Sequence, residues 1–211
     1  MHKNKLEIKR VTDKKYESRI DFLFADAFIY DPAFIWLYPN EEKVKTPFLT
    51  EIFFDLGVAH KHMYIADDPI KACAIWVAPG EEISIKDLYK AGFFGCLWKL
   101  GLKGAYNTLK IFLKNEKYKK QFVPDTCWYL FAVAVDESLC GQGIGEEILK
   151  PVLEQADKEG VICYAETSNS KTLNFYKKIG FEVVLEENIS NNPESPPIFY
   201  IKRQPKTVVS K

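Results

Sequence analysis

Trp128-Tyr129-Leu130-Phe131-Ala132-Val133-Ala134-Val135, followed after four residues by Cys140-Gly141-Gln142-Gly143-Ile144-Gly145, is the stretch on which the fold turns. An unbroken apolar and aromatic run marks a central strand buried on both faces. Glycines then let the backbone approach a ligand closely, and a helix reads from Ile144 to Glu159. Free N–H groups at a helix start, helped by its dipole, attract an anion. A pyrophosphate is the natural guest. A tight strand–helix turn that needs glycine for its own geometry would read the same way.

Two rival nucleotide motifs fail. A P-loop needs Gly-x-x-x-x-Gly-Lys-Ser/Thr, and no such run exists. The dinucleotide fingerprint Gly-x-Gly-x-x-Gly, counted from Gly141, places its last glycine on Glu146. Glu166 does lie where a ribose-binding acid would, but the missing glycine and the poor strand–helix pattern before Trp128 discount that reading.

Working outward, a strand over Val161 to Glu166, a helix over Lys171 to Lys178 and strands over Phe181 to Leu185 and Ile198 to Lys202 follow. Lys206 onward reads as a frayed tail. Upstream, Leu6 to Lys9 alternates as a short strand. Thr12 or Asp13 can cap a helix that buries Ile20, Phe22, Leu23, Phe24 and Ala27, and Asp31-Pro32 ends it. Tyr38-Pro39-Asn40 is a turn, and Glu41 to His60 a second helix. Met63 to Ala66 and Ile70 to Val77 form a hairpin around Asp67-Asp68-Pro69. Residues 84–121 differ in character. They are helical in pattern, rich in lysine and aromatics, and interrupted by Gly92, Gly95, Gly101 and Gly104. We read two or three inserted helices, a lid whose Phe93, Phe94, Trp98, Tyr106 and Phe112 are mainly core.

The 211 residues suit one domain, and 47% apolar content is enough for a sizeable core. Lys+Arg and Asp+Glu balance at 29 each, which argues against a broad phosphate-contacting face and so against nucleic acid as partner. The five cysteines are scattered, with no Cys-x-x-Cys pair. No disulfide framework or metal site is expected, and a cytoplasmic, reducing setting fits. No apolar run is long enough to span a bilayer, so no membrane partner is expected.

Three signals now agree in order and spacing: the strand–loop–helix with Gly143-x-Gly145, the strand ending Glu166-Thr167-Ser168-Asn169, and Asn174-Phe175-Tyr176-Lys177-Lys178-Ile179-Gly180-Phe181. Together, from Trp128 to Val184, they resemble the GCN5-related N-acetyltransferase (GNAT) superfamily. More narrowly, Trp128-Tyr129-Leu130, Glu166-Thr167-Ser168 and Ala74-Ile75-Trp76-Val77 ahead of Pro79 look like the puromycin N-acetyltransferase-like branch. The resemblance implies an α+β (mixed α/β) acyl-CoA N-acyltransferase fold: a mixed, mostly antiparallel twisted sheet flanked by helices, with a helical insertion. It implies one domain over 1–205, the insertion at 84–121 and the acetyl-CoA-binding core at 128–185.

The implied activity is direct attack of a primary amine of a small molecule on acetyl-CoA in a ternary complex, in a monomer or homodimer. Cofactor contacts would come from Val133, Ala134, Val135, Cys140, Gly141, Gln142, Gly143, Ile144, Gly145, Glu146, Asn169, Asn174, Tyr176 and Lys178. Tyr176 occupies the family's general-acid position, and a backbone N–H near Val135 would serve the thioester oxygen. An alkyl ammonium has a pKa of about 10, so the amine must lose a proton before attack. Glu166 is favoured as base; a purely structural carboxylate is the alternative. His60 and His62 read as solvated or capping, and Asp31, Glu81 and Glu82 as cation-binding or turn residues. Two departures stand out. Cys140 replaces the usual Gln or Arg, leaving backbone N–H groups to hold the pyrophosphate. Glu146 stands where many relatives carry Ser or Thr, and must point outward. Pro151 should kink its helix or remove one backbone bond. A peptide N-terminus or lysine acceptor, or a non-catalytic CoA-binding module, are the competing functions.

Overall fold

The computed structural model describes residues 6–37, 42–67 and 69–207, with no account of the side chains at 42–49 and 96–100. Its chain order is β1 (Ile8–Val11), α1 (Glu17–Phe28), α2 (Pro32–Leu37), α3 (Glu42–Ala59), β2 (Met63–Ala66), β3 (Ala72–Val77), α4 (Ile85–Lys90), α5 (Cys96–Phe122), β4 (Trp128–Val135), α6 (Ile144–Glu159), β5 (Cys163–Thr167), α7 (Leu173–Lys178), β6 (Glu182–Asn188) and β7 (Pro197–Arg203). Seven strands form one sheet in the order β1-β2-β3-β4-β5-β7-β6. All neighbours are antiparallel except β4 and β5.

Helices cover both faces. On one, α6 buries Ile148, Leu149, Val152 and Ala156 against Ala74, Trp76, Trp128 and Leu130, and Tyr176 of α7 joins them. On the other, α1 and α3 pack Ile20, Phe24 and Phe54 over Met63, Ile65, Ala132 and Ala134. Beside these lies a cluster of Leu88, Val123, Tyr129, Tyr164 and Tyr200, with Phe34 and Trp36 of α2 and Phe112 and Tyr118 of α5 against it. At about 25 cal/mol per Å² of apolar area, each such fully buried large side chain stabilises by about 2 kcal/mol.

Several boundaries moved. The chain after Asp31 is helical: Asp31 accepts from the Ala33 and Phe34 amides at 2.9 and 3.3 Å, so the expected stop is the cap of α2. The Tyr38-Pro39-Asn40 turn lies outside the described residues. In the insertion, Gly104 stays helical, while Gly101 breaks α5 with φ +69°. Pro151 sits inside α6 without interrupting it. Lys206 is not frayed, since its amide donates to Asp157 at 2.7 Å. Asp157 also takes both terminal nitrogens of buried Arg203 at 2.7 Å, and Arg203 Nε donates to the Ile179 carbonyl. This pair ties β7 to α6 and to the end of α7. Among the described residues no helix is long and apolar enough to cross a membrane, and no group of acids, histidines and cysteines could hold a metal ion.

Candidate active site

Strands β4 and β5 pair in parallel through only three residue pairs, Trp128–Cys163, Tyr129–Tyr164 and Leu130–Ala165. β4 then runs on to Val135 against β3 alone, while β5 runs on against β7. The sheet therefore opens into a cleft at the carboxyl ends of two central strands. A bulge marks where it opens. Leu130 faces Trp76 and Ala132 faces Ile75, so Phe131 is the extra residue. The Asp136 amide donates to Lys71. By the alternation of an antiparallel ladder, Val133 and Val135 then turn their N–H and C=O groups into the cleft.

The glycine loop closes one end of this cleft. Gly141 and Gly143 take φ of +79° and +85°, which a side chain resists, and a Cβ on either would meet nothing within 4 Å. Gly145 answers a different need: a Cβ there would come within 3.3 Å of the Phe175 ring and 3.7 Å of Val135. Its bareness lets α6, α7 and β4 pack together. Among the described residues, nothing accepts from the amides of Gly141, Gly143, Ile144 or Gly145. Four donors at a helix start, around an open concavity, fit a pyrophosphate, and the unpaired edge of β4 fits an amide-bearing arm. An acetyl-CoA molecule has both groups.

The anomalies of the loop resolve without strain. Glu146 points away from the loop amides to Lys178, at 3.1 Å. The pair is largely exposed to solvent. Cys140 is exposed, with Sγ 3.8 Å from the Asp136 carbonyl. Asn169 caps the turn before α7, its Oδ1 accepting from the Lys171 amide at 3.1 Å, and Asn174 is exposed.

Glu166 projects from β5 onto the face that carries α2 and α5, with Tyr164 beside it and Tyr200 directly opposite on β7. Its Oε1 is buried without a hydrogen-bond partner, as is the Tyr164 hydroxyl. Burial pushes the carboxyl up to about 7, against the pull of the Tyr129 hydroxyl and the Lys119 ammonium. Tyr176 comes from the other face, 6% exposed, and its hydroxyl makes no hydrogen bond with a described residue. Burial, then the charges of Glu166 and Asp31, hold that hydroxyl well above the usual phenol range, so it stays protonated. A buried carboxyl and a buried phenol thus lie on opposite faces of the sheet beside the gap.

Sequence reasoning did not find the Ser168 link. The Ser168 hydroxyl donates to Asp31 at 2.7 Å and accepts from the Ala33 amide at 3.2 Å, docking α2 beside Glu166. A buried serine one residue past a strand carries no periodic signal. Glu81 and Glu82, considered for substrate binding, engage His60 at 3.0 Å and Lys120 at 3.2 Å. His62 lies edge-on to Trp128, at 4.9 Å between ring centres, and burial holds its pKa down.

The pattern of the Acetyltransferase (GNAT) family matches residues 108–181. The whole chain also superposes on the crystal structure of arylalkylamine N-acetyltransferase 2 from Aedes aegypti with a TM-score of 0.66, at 14% identity, covering 96% of this chain and all of that one. The fold is the GNAT acetyltransferase fold. The crystal structure of histone acetyltransferase HPA2 and related acetyltransferase from Corynebacterium glutamicum superposes at a TM-score of 0.60 with 19% identity over 98% and 99% of the two chains. An uncharacterised N-acetyltransferase of Schizosaccharomyces pombe is 26% identical over 212 residues, 94% of this chain and 83% of its own. A "probable serine/threonine-protein kinase" of Dictyostelium discoideum is 24% identical over 95% of this chain, which spans only 32% of that protein's length. The chain is an acetyl-CoA-dependent N-acetyltransferase.

Proposed function

We propose that this GNAT enzyme acetylates the primary amine of a small molecule by direct attack within a ternary complex, with Glu166 as base and Tyr176 as acid. The observation that carries the assignment is the buried, unpartnered Oε1 of Glu166 at the mouth of the β4–β5 cleft. Acetyl-CoA supplies the acyl group. The loop amides of Gly141, Gly143, Ile144 and Gly145 hold its phosphates, and the N–H groups of Val133 and Val135 align its arm and face the thioester oxygen. Glu166 ionises near neutrality and takes the ammonium proton directly or through water. Tyr176 gives a proton to the departing sulfur.

Coverage of the Glu166 face by α2 and the carboxyl half of α5 supports a small acceptor. The aromatic walls offered by Phe34, Phe131 and Tyr129 support an amine on an apolar carrier. The Aedes neighbour is, by its name, an arylalkylamine acetyltransferase. The resemblance to puromycin N-acetyltransferases points to amines of the same kind.

Thiol release from acetyl-CoA is the test, run with phenethylamine, tryptamine, agmatine, spermidine and an alanyl peptide. We expect turnover with an aryl amine, lost at least a hundredfold at about pH 7 in Glu166→Gln and in Tyr176→Phe. Turnover with the peptide alone overturns the acceptor class. Unchanged kcat in either variant overturns that residue's role.

A further inference from the structure

The insertion helix α5 carries Lys119, which is 4% exposed. Among the described residues its ion-pair partner is Glu116, one turn back on the same helix, at 3.0 Å. That pair does not explain the burial. An i,i+3 pair forms as well in water, where each charge keeps its hydration. The next residue shows the alternative: Lys120 meets Glu82 with both side chains about half exposed. Taking an ammonium out of water costs several kcal/mol, and one carboxylate on its own helix does not repay that.

The explanation lies in what Lys119 covers. Its Nζ stands 4.8 Å from the centre of the Tyr129 ring. Tyr129 is in register with Tyr164, with ring centres 5.9 Å apart. Glu166 follows two residues after Tyr164 and so shares its face. The neighbours of Lys119 fix its place over this patch: Asn115 accepts from the Tyr200 hydroxyl at 3.1 Å, and Tyr118 packs on the Tyr200 ring at 4.8 Å. Among the described residues, the other titratable groups around Glu166 are neutral or negative: Tyr129 and Cys127 from β4 and its approach, Tyr164 from β5, Tyr200 from β7, Tyr176 from α7, Glu116 from α5 and Asp31 at the start of α2.

We propose that Lys119 is a positioning residue for the transfer reaction, a buried cation that the insertion lays over Tyr129 to keep Glu166 ionisable at neutral pH, with Glu116 as its moderator. The inference rests on Glu166 being the base. Burial alone would drive the carboxyl up and leave a neutral acid at the mouth of the cleft; the Tyr129 hydroxyl opposes this first and Lys119 next, and Glu116 weakens the opposition. The lid thereby sets the pH at which the site works.

The test is the titration of the Glu166 carboxyl carbon by NMR in the ligand-free protein, its resonance identified by its loss in Glu166→Gln. Lys119→Met should raise the midpoint by about one pH unit, Glu116→Gln should lower it, and Lys119→Arg should return it to the wild-type value. In thiol release, Lys119→Met should move the acid limb of kcat/KM up with the midpoint, a roughly tenfold loss below it. A midpoint unmoved in both Lys119→Met and Glu116→Gln overturns the proposal. Should Lys119→Met fail to fold, the downward shift in Glu116→Gln decides alone. Persistence of the acid limb in Glu166→Gln would instead sink the base assignment, whatever the NMR midpoints do.

Discussion

Replacing Glu166 by glutamine should make the folded protein more stable in alkali while removing its activity. An unfolded glutamate ionises near 4.5, and burial moves that of Glu166 to about 7. The difference corresponds to about 3 kcal/mol. Its sign follows from where the proton is held more tightly. Between these two values the folded state binds the proton that the unfolded state has lost, so stability falls as pH rises. The contribution is fully present below about pH 4.5 and gone once pH has passed through about 7. Urea unfolding of ligand-free protein, followed by tryptophan fluorescence, measures this at about pH 4 and about pH 8.5. Wild type and Glu166→Gln should agree within about 0.5 kcal/mol at the lower pH. At the higher pH the variant should lead by about 3 kcal/mol, or about 6–12 °C in Tm. Asp21, also raised to about 7 by burial and then by Glu17, Glu51 and Asp55, erodes stability over the same range in both proteins, so only the difference between them reports on Glu166. A variant no more stable than wild type at high pH, or a gap that ignores pH, would refute the reasoning.

Two further outcomes follow from the loop and from the clamp on β7. Gly143→Ala has room for its Cβ but must hold φ near +85°; it should cost about 1 kcal/mol of stability and weaken acetyl-CoA binding at least tenfold by calorimetry, because the methyl group occupies the anion concavity. Arg203→Met strands the Asp157 carboxylate and the Ile179 carbonyl, and should cost about 3–5 kcal/mol in denaturant unfolding. Hydrogen bonds to Arg203 and to the Lys206 amide hold the Asp157 carboxyl below its usual 3.8 despite its burial, so that loss should shrink as pH falls below about 4, where the wild-type pair itself is weakened.

The strand from Trp128 to Val135 and the helix from Ile144 to Glu159 were legible to the residue, because a doubly buried strand and a helix bounded by Gly143 and Gly160 leave unambiguous patterns. The short helix α2 was not. Its six residues contain no full apolar period, and its start is specified by a carboxylate whose second partner, Ser168, lies far along the chain. The gap between β4 and β5 was also beyond reach, since it depends on where pairing stops and not on what either strand is made of. Glu166 and Tyr176 stood out by position. That one oxygen of Glu166 lacks a partner, and that a buried lysine from the lid lies over Tyr129, are properties of packing that no spacing rule contains.

The early parting of β4 and β5 has a cost outside catalysis. It leaves unpaired backbone groups in the middle of a sheet, where most proteins tolerate them only at protected edges. Such a slot accepts any extended chain, including a strand of a neighbouring copy. In the proposed binding mode the cosubstrate is also the stopper of this slot. Stored without acetyl-CoA, the protein should clump sooner on warming than its unfolding free energy alone would dictate.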